Sequence, residues 1–361
     1  MDRQWTIITC LTSLLCFGSV GRAEPPARNF ARELGNSIAD VVDHVMPSVV
    51  VIRTEATVYH AARDIFFGNV YGIPEHLLGQ GSGVIISKDG YVLTSNHVIQ
   101  DAEHIEVVLH NGEKYTARKV GQDPLTDVAV LKIESKKRKE FTPIVPGDSD
   151  KLRVGEFVVA VGSPFSLDSS VTLGIVSQKG RNVGVLPYED FIQTDASINP
   201  GNSGGPLVDV DGRMVGLNAV IQTGSPYVRT SIGIGFAVPV NVAMRVAESL
   251  IKTGTVERPW VGIQLREVVR SGDADANEDG PTGVLAGDIV DNTPAAKAGL
   301  KEGDLITAVD GTGVSDVHAV QRLILKHRVG ETVKLDIRRG EERKVFEVIC
   351  DRMPDFSRIP R

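Results

Sequence analysis

Cysteine is nearly absent from this chain. Its 361 residues hold three, and two of them, Cys10 and Cys16, fall inside an N-terminal apolar stretch. Without that stretch only Cys350 remains, so a framework of intrachain disulfides is excluded. Cys350 lies in the alternating run Lys344 to Cys350 and reads as a plain strand residue. A basic excess is lacking too. The net charge is −7, which argues against nucleic acid as a partner. Aromatic residues make up 5%, against 37 glycines, a balance that suits a loop-rich, mostly β protein. The hydrophobic share of 42% and the charged share of 24% are those of an ordinary globular chain.

A long apolar run is also missing. Trp5 to Val20 is uncharged but short of the roughly 20 apolar residues of a bilayer span. Arg3 precedes it, and Gly21-Arg-Ala23 places small residues ahead of Glu24. This reads as a signal segment over 1–23, cleaved before Glu24; the alternative is an uncleaved membrane anchor. Leu14-Leu15 offers no small residue just before Cys16, so lipidation is not expected.

What is present centres on Gly201-Asn-Ser-Gly-Gly205. A serine hydroxyl is a poor nucleophile and needs a base beside it and donors facing the oxyanion it creates. Flanking glycines let the chain turn sharply and let the N–H groups of Gly201 and Ser203 converge as an oxyanion hole. Taken alone, the segment also fits a glycine-rich turn. Two upstream pieces add weight. His97 ends an apolar strand in Leu93-Thr-Ser-Asn-His97, and Asp127 precedes the alternating run Val128 to Ile133. The order His, Asp, Ser is that of the chymotrypsin-type triad.

At these residues the chain resembles the HtrA family of serine proteases. The matching segments are Gly81 to Ile86, Thr94 to Ile99, Thr126 to Leu131, Gly201 to Leu207 and Gly233 to Pro239. The resemblance implies a mostly β fold, a chymotrypsin-like double β-barrel over 48–252 followed by a PDZ domain over 259–361. It implies catalysis by His97, Asp127 and Ser203. Asp123, four residues upstream in a turn before Pro124, is a rival for the third role. The linker and helical arm span 24–47, with Phe30, Leu34, Ile38, Val41, Val42 and Val45 at helical spacing. In the family such an arm helps hold a homotrimer or a multiple of it. A second helix, Pro239 to Lys252, is stopped at Gly254, and 253–258 is the interdomain linker.

Asp89-Gly90, Asn111-Gly112 and Asp211-Gly212 are hairpin dipeptides between alternating runs, which supports antiparallel barrels. Residues 55–79, with Tyr59, Phe66, Phe67, Tyr71, Leu77 and Leu78, lack periodicity and read as a long loop. Asn202 stands where secreted digestive proteases carry an aspartate that pairs with a new N-terminus. A neutral amide cannot do this, so control is expected in the loops 162–167, 182–188 and 222–229. Leu217 to Ile221 should wall the specificity pocket, and its small aliphatic residues favour Val, Ala, Leu or Ile on the acyl side of the cut.

After Pro259, Trp260, Val261 and Gly262 match a PDZ carboxylate loop, and Ile263 and Leu265 match the strand that takes up a peptide. Val317 to Lys326 reads as the groove helix. C-terminal peptides and unfolded polypeptides are the partners this implies. Ser271 to Gly280 looks superficially like a calcium loop, but Glu278 stands at the sixth place from Asp273 and Val284 at the twelfth. No metal and no cofactor is expected. The function these features imply is an exported, ATP-independent serine endopeptidase for misfolded or damaged envelope proteins. The alternatives are a membrane-anchored regulatory protease that senses free C-termini, and a chaperone or binding protein whose protease is idle.

Overall fold

The computed structural model describes residues 26–63, 70–135, 140–162, 170–221, 233–268 and 283–354. The signal segment, Phe66 and Phe67, the acidic run 271–280, the loop 222–229 and all of the loop 162–167 but Gly162 lie outside them. So do the side chains of Tyr59, Tyr71, Val220 and Ile221. Two units are distinguished, Met1–Asp40 and Val41–Arg361. Most of helix α1 (Pro26–Val45) belongs to the first. It begins inside the expected linker, because proline at a first helical position gives up an N–H that would have no partner anyway.

Twelve strands of the second unit close into two barrels. The first holds β1 (Val49–Arg63), β2 (Val70–Ile85), β3 (Tyr91–Ser95), β4 (His104–Leu109), β5 (Lys114–Asp123) and β6 (Val128–Ile133), in the order β1-β2-β3-β6-β5-β4. A short helix, α2 (Asn96–Ile99), follows β3. The second barrel holds β7 (Phe157–Gly162), β8 (Ser170–Arg181), β9 (Phe191–Thr194), β10 (Pro206–Val208), β11 (Met214–Ile221) and β12 (Gly235–Pro239), in the order β10-β11-β12-β9-β8-β7. Closure leaves no free sheet edge. Val50, Ile52, Val107, Ala129 and Leu131 fill the first interior, and Val158, Ala160, Val176, Ile192 and Leu207 fill the second.

Residues 55–63 and 70–79 are strand, not irregular loop. β1 and β2 pair without a break from Val49–Val84 to Arg63–Val70, forming a hairpin arm that extends well past the barrel. The alternation that marks a half-buried strand is missing because Val58, Leu77 and Leu78 are exposed, so neither face is held to an apolar pattern.

Helix α3 (Val240–Thr253) buries Val240, Ala243, Val246, Ala247 and Leu250. It packs on β5 and β6 of one barrel and on β11 and β12 of the other, which accounts for the near-total burial of β6 on both faces. It ends at Gly254, whose φ is +73°, a left-handed C-cap.

The remainder contains β13 (Pro259–Trp260), β14 (Ile263–Glu267), β15 (Val284–Ile289), α4 (Pro294–Ala298), β16 (Leu305–Val309), β17 (Thr312–Gly313), α5 (Val317–Leu325), β18 (Thr332–Arg339), β19 (Glu342–Ile349) and β20 (Asp351–Arg352). The main sheet runs β14-β15-β16-β18-β19, so β14 is an edge strand; β13 pairs with β20. Val284, Ile306, Val309, Val320, Val333 and Leu335 are fully buried in its core with Cys350. Burial pushes the Cys350 thiol up to about 11, which leaves it protonated and unreactive at neutral pH.

Candidate active site

His97 is the second residue of α2, and Asp127 occupies the turn just before β6. Asp127 has φ +56°, a left-handed conformation that aspartate tolerates better than most residues. The turn aims both carboxylate oxygens at the histidine. Asp127 Oδ1 accepts the His97 main-chain N–H at 2.9 Å, and Asp127 Oδ2 lies 2.7 Å from His97 Nδ1. The Asn96 N–H donates to the Asp127 carbonyl at 3.0 Å. Asp127 is buried, whereas the His97 side chain is 44% exposed. With Nδ1–H donated to the carboxylate, Nε2 is left as the accepting nitrogen.

Ser203 lies in the turn before β10. Its Oγ donates to the Ala219 carbonyl at 3.2 Å, and the Gly204 N–H donates to the Asn218 carbonyl at 2.7 Å. The turn is sewn to the first barrel. The Ser82 N–H donates to the Ser203 carbonyl at 2.9 Å, Ser82 Oγ donates to the Gly201 carbonyl at 2.5 Å, and Ser95 Oγ reaches the Asn218 carbonyl at 3.3 Å. A Cβ on Gly204 would stand 2.3 Å from the Ser82 carbonyl oxygen, and one on Gly205 2.2 Å from that of Val161. The turn therefore requires both glycines, Gly204 against the first barrel and Gly205 against β7 of its own. The N–H groups of Asn202, Gly204 and Gly205 are bonded. Among the described residues no acceptor takes those of Gly201 and Ser203, the two named as oxyanion donors.

Asp123 does not compete for His97. Its Oδ2 accepts from Thr126 Oγ1 at 2.5 Å and forms a buried ion pair with Arg258. The Arg258 guanidinium lies 5.1 Å from the Tyr188 ring centroid. The stretch 253–258, which reads as a plain linker, is thus fastened to the first barrel through a contact separated by 135 residues in sequence. No local motif announces such a pair.

Glu189 is another residue that the sequence did not single out. It is buried, and its carboxylate accepts the N–H groups of Val183, Gly184, Val185 and Leu186, the last two at 2.5 and 2.6 Å. One side chain therefore holds the whole curl of the 182–188 loop. The only signal was an acidic residue following a run rich in glycine and proline. Next to it, Tyr188 donates its N–H to the Leu125 carbonyl at 3.2 Å, two residues from Asp127. Asp190 faces Arg322 of α5 at 3.3 Å.

Further contacts tie α5 to the second barrel and α3. Asn182 Nδ2 meets His318 Nδ1 at 2.8 Å, and Arg245 Nη1 donates to the Leu325 carbonyl at 2.7 Å. Asp190, Arg245, His318, Arg322 and Leu325 line a cleft of about 460 Å³ that none of His97, Asp127 or Ser203 borders.

Trp260 pairs with Asp351, Val261 accepts from the Ala295 N–H at 2.9 Å, and Gly262 accepts from the Val290 N–H at 3.0 Å. Gly262 has φ +86°, and Ile263 starts the edge strand β14. A groove of about 330 Å³ runs between β14 and α5, lined by Trp260, Ile263, Leu265, Val317, Gln321 and Ile324, with Tyr188 and Met353 at its rim.

Two six-stranded antiparallel barrels with a serine turn and a histidine–aspartate pair at their seam, followed by an edge-strand groove domain, define a trypsin-like peptidase joined to a PDZ domain. Family models agree: the trypsin-like peptidase domain matches residues 81–217 and the PDZ domain residues 259–350. A Brucella suis protein named "Probable periplasmic serine endoprotease DegP-like" is 44% identical over 281 residues, covering 78% of this chain and 54% of that protein. One of the same name from Bartonella henselae is 42% identical over 351 residues, covering 88% of this chain and 68% of that one. This chain spans about half the length of several curated relatives it matches. The solved HtrA-type protease AlgW with decapeptide superposes with a TM-score of 0.68 at 35% identity, covering 88% of this chain and 98% of that one. The Yersinia pestis serine endoprotease does so with a TM-score of 0.58 at 32% identity. The chain belongs to the HtrA family of serine proteases.

Proposed function

We propose that this chain is an exported, ATP-independent serine endopeptidase for misfolded or damaged envelope polypeptides. It cuts after small aliphatic residues, assembles as a homotrimer or a multiple of it, and answers to C-terminal peptides held in its PDZ domain. The observation that carries the reading is the doubly bonded His97–Asp127 pair at the same barrel seam as Ser203. The periplasmic names of its relatives support export.

In the reaction, Ser203 Oγ leaves the Ala219 carbonyl and attacks the substrate carbonyl while His97 Nε2 takes its proton. The N–H groups of Gly201 and Ser203 bind the oxyanion. His97 then protonates the leaving amine, and water hydrolyses the acyl-enzyme by the same route. Asp127 fixes the imidazole and stabilises its charged form without being protonated itself. Leu217 and Ala219 bring no charge to the pocket, which suits an aliphatic side chain. A slot of this kind discriminates by only about 1–3 kcal/mol per methylene, so preference is broad.

A fluorophosphonate probe should label the chain at Ser203, and Ser203→Ala should end both labelling and casein hydrolysis. His97→Ala should do nearly as much, because such groups act as a unit. Casein turnover retained by the Ser203→Ala protein, after it is shown to be folded, would overturn the assignment.

A further inference from the structure

Beyond the apolar lining of the PDZ groove, where β14 ends, a carboxylate bridges that strand to α5. A ligand whose terminal carboxylate rests at Trp260 to Gly262 must run antiparallel to β14, because the carboxylate loop lies at the start of that strand. Its last residue then stands beside Ile263. Opposed residues of an antiparallel pair project on one face, and that face recurs every second residue. The third residue from the ligand's end therefore meets Leu265 and the fifth meets Glu267. Ile263 and Leu265 pack against the domain core. Glu267 shares their face: its Oε1 accepts the Val317 N–H at 3.0 Å, bridging β14 to the first turn of α5. Arg266 points to the other face, 3.4 Å from Asp288.

Asp316, the N-cap of α5, places a second carboxylate beside the first. One of its oxygens accepts the Ala319 N–H at 2.8 Å, and the other accepts from Ser315 Oγ at 3.0 Å. Among the described residues no cation lies within ion-pair distance of Glu267 or Asp316. Glu267 Oε2 remains to receive a donor.

We infer that Glu267 is a specificity-determining residue of the groove, selecting peptides with Lys or Arg at the fifth residue from an apolar, free C-terminus. This rests on the reading of the groove as a C-terminal peptide site. The apolar stretch between β14 and α5 takes the last and third residues. The Glu267–Val317 bridge marks where the apolar floor stops and where a longer ligand meets negative charge. A cross-strand ion pair on an exposed edge is worth a factor of roughly two to five in affinity, and it shrinks at high salt.

The test uses the full chain and fluorescein-labelled hexapeptides, read by anisotropy. The peptides share an apolar last and third residue and carry Lys, Gln or Glu at the fifth from the end, each as free acid and as C-terminal amide. The expected order for the acids is Lys tightest and Glu weakest, with the amides binding far more weakly. Glu267→Gln keeps an oxygen for the Val317 N–H and should erase the Lys advantage without weakening the Gln peptide. Equal affinities across Lys, Gln and Glu, with acid still preferred over amide, would overturn the role of Glu267 and leave the groove reading standing. A Lys preference that survives in Glu267→Gln would do the same. Equal binding of acids and amides would bring down the groove reading itself, and this inference with it.

Discussion

Asp123 and Asp127 are four residues apart and both buried, yet their oxygens serve different ends. Asp127 gives both to His97, and Asp123 gives one to Thr126 and Arg258. The serine turn, the histidine and the candidate aspartate were legible because each needs specific residue types in a short local pattern. The alternative use of Asp123 was not, because its partner is distant in sequence. Asp190 was equally hidden. Burial, partly offset by Arg322, lifts its carboxyl from 3.8 to about 6. A carboxyl raised by folding contributes stability that is full below the unfolded pKa and is lost as pH rises through the folded one. Wild type should therefore lose an increment of stability between about pH 4 and 6 that Asp190→Asn, which is neutral throughout, does not lose. Urea midpoints of the two proteins from pH 4 to 7 measure it. The difference should shift in favour of the variant as pH rises, and a difference constant with pH would mean that Asp190 ionises as freely folded as unfolded.

At the scale of elements, legibility followed burial. The hairpin turns at Gly90, Gly112 and Gly212 have φ of +90°, +83° and +74°, and the dipeptides that specify them were plain in the sequence. The long β1–β2 arm was not, since strands exposed on both faces carry no alternation. The sequence points to the 182–188 loop as a control element but not to the device that shapes it, because four main-chain donors leave no mark on the side chains that bear them. Removing Glu189 would strand these N–H groups, each costing about 1–3 kcal/mol if it stays buried. The loop should open to water rather than bear that cost. Glu189→Ala is expected to speed hydrogen exchange at Val183, Gly184, Val185 and Leu186 while the β7 and β11 amides stay protected. Glu189→Gln, keeping one acceptor oxygen, should fall between. Unchanged exchange at the four amides would show that other contacts hold the curl.

At the scale of the second unit, charged and polar contacts fasten the groove domain to the barrels. Arg258–Asp123, Arg322–Asp190, the Arg245 bond to the Leu325 carbonyl and Tyr188 against Met353 all link the groove domain to the barrels. Of these, Arg258–Asp123 is the most deeply buried, with side-chain exposures of 10% and 4%. A buried pair adds little net stability over apolar packing, but loss of one partner costs about 3–5 kcal/mol because the other charge is left without compensation. A chain ending at Thr253 deletes Arg258 and leaves Asp123 beneath Thr126, so its barrels should melt below those of the full chain. Removal of the groove domain also strips apolar cover, so a lower melting temperature alone does not identify the cause. The sign of a second substitution does. Asp123→Asn in the full chain strands Arg258 and should lower the melting temperature. In the shortened chain the same substitution removes an unpaired buried charge and should raise it. The reversal is a coupling between residue 123 and the groove domain that additive effects cannot produce. Calorimetry of the four proteins reads it directly, and an Asp123→Asn effect of the same sign in both lengths would mean that water, not Arg258, compensates Asp123.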